Sequence, residues 1–387
     1  MKKTLAALAV LGAFAGSAAA ADVQLYGVVD EGLIYTNTKV TNTKSVDKLE
    51  LKSGRNLGSR WGLKGSEDLG NGYKVGFKLE SGFEADSGTL QENRIFRREA
   101  GVTLYGPFGS LGLGRFGGIA SAAGTYDLIG YVESFDGGDN NIFGLTTGDV
   151  YDNMITYQTP EFAGFQVTGQ YSLKNDSSVE DGVEGKASAD RYAGIAATYT
   201  IGNLQTVIAY DQMMWGSKET GANREKDQHN VYLGGNYDFG LLKLFAMGQY
   251  VKGARDFAGT EDFFNEDGAD LQSREGFDGW GLHLGTVMPV AGGDWTVAVY
   301  YADGELDDGT GSIGDLPPAL TDVNVDIKFY GITTRYVYPL SERASLYAGA
   351  GYGERKYDVS GDVDNVHASD SAKEKIGQVY AGLSYVF

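Results

Sequence analysis

Side chains able to move protons near neutral pH are scarce in this chain. Its three histidines, His229, His283 and His367, lie far apart and share no serine or carboxylate motif. A Ser–His pair assembled in space would make a barrel hydrolase. No G-x-S-x-G or H-E-x-x-H pattern accompanies the histidines, and positions on a wall or loop are the simpler reading. Gly112, Gly114 and Gly117 in GLGRFG fit the spacing of a dinucleotide loop. No strand–helix–strand rhythm surrounds them, so these glycines are read as letting a strand end turn into a loop. The acid clusters DGGDNN (136–141), ELDD (305–308) and SGDVDN (360–365) offer oxygen ligands for Ca²⁺ or Mg²⁺. None follows the twelve-residue loop with its fixed Gly and terminal Glu, so solvated loops are expected, as for the charged NREKDQ (223–228). Cysteine is absent, which excludes disulfides and thiolate metal sites. No catalytic residue, metal or cofactor is expected.

The elements that would carry these residues are strands. In YKVGFKLESGF, Tyr73, Val75, Phe77 and Leu79 face one way and Lys74, Lys78 and Glu80 the other. Phe165, Val167 and Tyr171 alternate with Gln166, Thr168, Gln170 and Ser172; Trp295, Val297, Val299 and Tyr301 with Thr296, Ala298 and Tyr300. Trp280, Leu282 and Leu284 stand opposite His283. Such period-2 patterning is that of strands with one apolar face. It predicts sixteen strands, at about 22–36, 52–66, 72–86, 94–105, 110–117, 151–159, 164–173, 190–200, 204–214, 228–239, 241–252, 277–288, 294–302, 324–338, 345–357 and 376–387. Short turns (EDLGNG, GPFG, PEFAG, IGN, PVAGGD) alternate with long polar segments, as in an up-and-down sheet whose two rims face different compartments. The second face, with its Lys, Glu, Gln, Thr and Gly, is too polar for a packed core. It is expected to line water while the apolar face meets lipid, and sixteen strands enclose an aqueous channel where about eight do not.

Composition agrees. Lys and Arg number 32 against 52 Asp and Glu, a net charge of −20, which argues against nucleic acid as a partner. A solvated acidic surface and an acidic vestibule that draws in cations both fit this balance. Residues 1–21 read as a secretory signal peptide: Lys2 and Lys3, an apolar stretch, then small residues, with cleavage after Ala20 or Ala21. Its loss removes two lysines and takes the charge to −22. Residues 22–387 then form a single domain, for no Pro-rich or Ser-rich linker divides them. Mean hydropathy is negative, which suits a membrane barrel though not a helical membrane protein.

Several stretches resemble the trimeric general porins of the Gram-negative outer membrane, particularly the β-proteobacterial (neisserial-type) branch. ADVQLYGVVDEGL resembles that family's first strand, and SRWGLKGSEDLGNGYKVGFKLESGF its second and third. GPFGSLGLGRFG resembles the fourth turn and fifth strand, YDNMITYQTPEFAGFQVTGQY the sixth and seventh strands, and QVYAGLSYVF the closing strand. The resemblance implies an all-β fold, a 16-stranded antiparallel transmembrane β-barrel whose third extracellular loop folds inward. Here that constriction loop is about 117–150. YVESFDGGD resembles its acidic part, which makes Asp127, Glu133, Asp136 and Asp139, with Asp149, the acids of the constriction. Arg60, Arg98 and Arg115 match the arginines that such porins place on the opposite wall, with Arg97 and Lys64 close in sequence.

The implied activity is passive diffusion of small hydrophilic solutes and ions through a homotrimer, with no catalysis. Many relatives carry a further Arg before the DN of the sixth strand, where this chain has Val150 and Tyr151. A mild cation preference is therefore expected. A substrate-specific porin, or a barrel serving chiefly as adhesin or surface antigen, are the alternatives. The partners implied are outer-membrane lipid and lipopolysaccharide, and the outer-membrane assembly machinery, which would read Tyr385 and Phe387 at the end of the chain. That terminal strand is expected to pair with the first and close the barrel.

Overall fold

The computed structural model describes residues 23–387 except 122–123, 127, 129–148, 180–181, 217–225, 256, 259–268, 273–274, 314–319 and 364–365. The 1–21 signal segment lies outside the described residues, as do Asp127, Glu133, Asp136 and Asp139.

Every strand joins one antiparallel sheet that closes on itself. In chain order the segments are β1 (Gln24–Val40), β2 (Val46–Ser53), β3 (Arg60–Gly70), β4 (Tyr73–Gly82), β5 (Glu99–Gly106), β6 (Gly109–Gly117), β7 (Val150–Gln158), β8 (Phe165–Ser172) and β9 (Arg191–Ile201). They continue with β10 (Leu204–Met214), β11 (Gln228–Asp238), β12 (Lys243–Ala254), β13 (Ala269–Gln272), β14 (Phe277–Val290), β15 (Gly293–Ile313), β16 (Leu320–Pro339), β17 (Ala344–Val363) and β18 (Val366–Val386). Two pairs share one place in the wall. β2 and β3 both pair with β1, and β13 and β14 both pair with β15, so eighteen segments occupy sixteen positions. The seam is the pairing of β1 with β18, from Val28↔Val386 to Val40↔Glu374, finished by reciprocal backbone bonds of 3.0 Å between Gly27 and Phe387. No sheet edge is left to face lipid.

Alternation sorts the two faces as the sequence implied. Val379, Leu383, Tyr385 and Phe387 are exposed on the outside, while Tyr380 and Ser384 are buried inside. Trp280, Leu282 and Leu284 lie outside and His283 inside. On β16 the outer apolar band runs between Tyr338 and Tyr330, about 27 Å along the strand at ~3.4 Å per residue. At the 35–45° tilt of membrane-barrel strands this length spans roughly 20 Å of height, a little less than the ~25 Å of a lipid-facing belt between aromatic girdles.

Two sequence expectations need correction. The second strand, expected to be continuous over 52–66, is broken by a 54–59 excursion. The late strands are far longer than expected: β15 has 21 residues, β16 and β17 each 20, and β18 21. ELDD and the first part of SGDVDN are therefore strand, not loop. Beyond the girdle the wall stands in water on its outer side, so polarity reverses. Val323, Val325, Ile327 and Phe329 of β16 are buried inward while Asn324, Asp326 and Lys328 are exposed outward. The inner face is consequently not polar throughout, contrary to the water-lined wall expected from the alternation.

Candidate functional site

Register brings a charged group together on the inner face of β1, β3, β4 and β5. Gln24 and Tyr26 stand opposite Lys64 and Gly62; these stand opposite Lys78 and Glu80; and Lys78 and Glu80 stand opposite Gly101 and Glu99. Directly paired residues share a face, so Tyr26, Lys64, Lys78, Glu80 and Glu99 all point into the lumen. Arg60 joins them opposite Gly82, and Arg98 enters from the loop just before β5.

Glycine at 58 lets two guanidinium groups approach the same stretch of backbone. An Nη of Arg60 donates to the Gly58 carbonyl at 2.9 Å, and a Cβ on Gly58 would lie 3.3 Å from an Nη of Arg98. The excursion that carries Gly58 is fastened from below by Asp30, which is wholly buried. The Asp30 carboxylate accepts from the amides of Asn56 and Leu57, each at 3.2 Å, from the Tyr347 hydroxyl at 2.9 Å and from the Ser384 hydroxyl. One buried acid thus ties the excursion to both sides of the barrel seam.

The wall acids are saturated. Glu80 accepts from Arg98 Nε at 2.7 Å and from the Tyr26 hydroxyl at 2.8 Å, with the Lys78 ammonium 3.5 Å away. Lys78 bonds Glu99 at 2.9 Å, and Glu99 also accepts from the Thr125 amide at 3.0 Å and its hydroxyl at 2.6 Å. Lys64 is exposed, its ammonium 5.0 Å from the centre of the Tyr26 ring. Glu80 and Glu99 are only 3% and 1% exposed, so the cations present the more accessible charge.

Thr125 belongs to the 117–150 segment, whose described residues rest on inward-facing side chains. Tyr126 lies over Gly112 and meets Phe116 edge-on at 5.5 Å. The Ile119 amide donates to the Tyr192 hydroxyl at 2.8 Å, and Gly118 bonds the carbonyl of Asp149 at 2.8 Å, which draws the neck of the segment together. Gly194 leaves the space that Ile119 occupies, since a Cβ there would come within 2.7 Å of it.

Arg115 and Arg97, expected with Arg60 and Arg98, sit elsewhere. Arg115 stands opposite Ala100, between Glu99 and Gly101, which face inward; it therefore lies on the outer side of the wall. Its parity in SLGLGRFG is that of Leu111 and Leu113. The register shift between Gly114 and Phe116, with Gly114 at φ +142°, leaves Arg115 facing Asp152. Arg115 bonds Asp152 at 2.6 Å and the Arg97 carbonyl at 2.8 Å. Arg94 bonds the same carboxylate at 3.0 Å and also Asp176, while Arg97 pairs with Asp149 and Glu92, each at 2.8 Å. Burial works against the Asp176 charge, but the hydroxyl and amide of Ser178 and the Arg94 charge hold its carboxyl below the usual range. This network clamps the loop before β5 to the rim of β7 and the loop after β8. Tyr26, Asp30, Lys78, Glu80 and Glu99 were not singled out from the sequence as site residues, although the alternation had already put Lys78 and Glu80 on the polar face.

The histidines do not converge. His283 is buried on the inner face against Tyr300, His229 meets the Tyr210 hydroxyl at 2.7 Å, and His367 meets Asp362 at 3.1 Å. Among the described residues no group of three or more acids and histidines is placed to hold a metal.

Nearer the outer mouth, Phe257 is buried inside the barrel on Gly279 and Gly304, where a Cβ would come within 2.7 Å and 2.5 Å of its ring. Arg355 holds the adjoining backbone by donating to the Ala258 carbonyl at 2.6 Å, and pairs with Glu374 at 3.0 Å.

The family model described as Gram-negative porin matches residues 6–358. An outer membrane porin protein of Bordetella pertussis is 33% identical, over 92% of this chain and 94% of its own. Outer membrane porin protein 32 of Delftia acidovorans is 31% identical, over 92% and 90%. Among solved structures, an anion-selective porin from Comamonas acidovorans superposes with a TM-score of 0.63 at 25% identity, covering 95% of this chain and 99% of that one. A closed barrel of sixteen strand positions, apolar outside and charged within, and a match across nearly its whole length together make this chain a member of the Gram-negative porin family of the outer membrane.

Proposed function

We propose that the protein is a general diffusion pore for small hydrophilic solutes and ions, working as a homotrimer, in which a charged wall faces the acids of the 117–150 loop. The observation that carries this reading is the inward cluster of Arg60, Lys64, Lys78 and Arg98 with the loop fastened to it through Glu99 and Thr125. Acids facing such cations across water set up a transverse field that orders water and orients dipolar solutes, and it disfavours bulky apolar ones. The loop acids in this reading are Asp127, Glu133, Asp136 and Asp139.

A mild cation preference follows from the charges. Four wall cations are offset by Glu80 and Glu99, and Arg97 and Arg115 are taken up by Asp149 and Asp152. The four loop acids then outweigh what remains. The opposite sign has one observation behind it: the similar porin from Comamonas acidovorans is described as anion-selective. Planar-bilayer conductance under a salt gradient separates them. Three-step closure and a reversal potential on the cation side are expected. An anion-side potential overturns the preference, and no conductance at all overturns the pore. Saturable block by one solute would favour a substrate-specific porin, and failure of liposomes to swell in small sugars would favour an adhesin.

A further inference from the structure

Where β12 ends, the chain turns into the lumen. Gly253 lies at φ +70° with its amide donating to Asp278 at 2.8 Å, and the register with β14 shifts between Val251 and Ala254. Ala258 takes φ +56°, a backbone conformation unfavourable outside glycine. Beside it, Phe257 is seated on Gly279 of β14 and Gly304 of β15, with its ring centre 6.3 Å from that of Phe277. The Ala258 carbonyl then meets Arg355 of β17, which lies four strand positions round the wall from β12. Four positions at ~4.8 Å each are roughly 19 Å of wall, a quarter of the barrel. Phe257 and Ala258 therefore belong to a strap laid across the inner face of β14 to β16.

The strap has a dry underside. Val325, Ile327 and Phe329 of β16 and Tyr357 of β17 face inward beneath it, none more than 1% exposed. Arg355 is buried among them, and a buried guanidinium needs partners. Its partners are the Ala258 carbonyl at 2.6 Å and Glu374 at 3.0 Å, and its charge lies 5.2 Å from the centre of the Phe329 ring. The buried apolar cluster that holds Ala254, Phe257 and Ala258 also takes in Ile119, Ala120 and Leu128 of the 117–150 segment. The neck of that segment and the strap thus rest on one continuous core, which runs along the inner face from β9 to β17. The inward charges of β3 to β5 lie on the other side of the lumen, outside this core.

We propose that the strap is a second constriction, nearer the outer mouth than the 117–150 segment, and that Arg355 is the residue that positions it. Solutes entering from outside are confined to the water-lined side of β1 to β8, past Arg60, Lys64, Lys78 and Arg98. Those too wide for this passage are turned away before they reach the 117–150 segment. The strap selects by width and not by charge, because the Arg355 charge is matched by Glu374 and covered by the Ala258 backbone. This role rests on the pore reading and adds to it a size limit set by the outer mouth.

Two variants of the full-length protein release the strap by different means. The double variant Arg355→Met, Glu374→Gln removes the donor to Ala258 and leaves no unpaired buried charge. Gly304→Ala keeps both charges and places a Cβ where the Phe257 ring sits, within 2.5 Å of it. Each is measured as single channels in planar bilayers, with polyethylene glycols of graded size added to the outer or the periplasmic side. A backbone layer about 10 Å deep over a quarter of the wall takes up roughly a sixth of a sixteen-strand lumen, so conductance without polymer should rise about 1.2-fold. The smallest polymer excluded from the outer mouth of the unaltered pore should enter both variants and lower their conductance. Exclusion from the periplasmic side and the reversal potential should stay as they are, since neither variant alters net charge. Unchanged conductance and outer-side exclusion in both variants overturn the strap, as does an equal change from the two sides. A response of Gly304→Ala alone, with the double variant assembled, overturns the role of Arg355. Should the double variant fail to assemble, Gly304→Ala decides by itself. An unaltered protein that conducts nothing overturns the pore reading, an outcome distinct from all of these.

Discussion

Replacing Glu99 by Gln keeps the side chain's shape and its place beneath Thr125, yet removes one wall anion and leaves Lys78 without its 2.9 Å partner. The inward charge on the wall, four cations against two acids, then loses one of its two acids. For an ion passing about 8 Å away through water, a unit charge is worth ~0.5 kcal/mol before screening. At 0.1 M salt the Debye length of about 10 Å leaves roughly half of this, with opposite sign for cation and anion. The cation-to-anion permeability ratio should therefore fall about twofold. At 1 M, with a Debye length of about 3 Å, the change should nearly vanish. Reversal potentials across planar bilayers, measured in gradients centred on each salt level, check both figures. Lys78→Gln must shift the ratio the other way, because it removes a cation and leaves Glu99 held by Thr125 alone. No shift at 0.1 M in an assembled barrel, or a shift that persists undiminished at 1 M, would refute the placement of Glu99 and Lys78 in the conducting lumen.

Other residues separate structure from conduction. Asp30→Ala strands the two buried hydroxyls of Tyr347 and Ser384 at ~1–3 kcal/mol each before relaxation and releases the partly buried amides of Asn56 and Leu57, so the barrel should lose its heat-resistant mobility on SDS gels at clearly lower temperature, and Asp30→Asn should lose less. Arg115→Ala should destabilise less than this, because Asp152 keeps the Arg94 guanidinium at 3.0 Å and the Ser177 amide at 2.8 Å, while leaving the reversal potential in place; Arg98→Ala should move that potential toward cations. Phe257→Ala empties the seat on Gly279 and Gly304, and an opened outer mouth would appear as raised single-channel conductance with the ion preference kept. Phe387→Ala should lower the amount of assembled barrel in the outer membrane, as measured by heat-modifiable protein in membrane fractions, and undiminished assembly would leave the terminal residue with closure alone.

The sequence revealed the strands wherever lipid dictates the pattern. Within the hydrocarbon an outward side chain must be apolar and an inward one is free to be polar, so Val379 to Phe387 and Trp295 to Tyr301 declare themselves by parity. Parity was also the better guide to individual arginines. It groups Arg60 with Lys64, opposite Trp61 and Leu63, and it groups Arg115 with Leu111 and Leu113; resemblance alone put all the arginines on one wall. The clamp of Arg94, Asp152 and Asp176 has no periodic signature, because it joins two loops to a strand end across 58 and 82 positions of sequence.

Above Tyr330 the outer face of the wall leaves the hydrocarbon, and the outer side chains of β16 become Lys328, Asp326 and Asn324. Inside, with no lipid to oppose it, the wall can bury Phe329, Ile327 and Val325 against Phe257 in the manner of a soluble protein. A reading tuned to apolar-out alternation meets the reverse and sees loops rich in Asp and Gly. The point at which the polarity of the outer face reverses along β16, between Tyr330 and Lys328, is where the hydrocarbon of the outer leaflet ends and its headgroup layer begins.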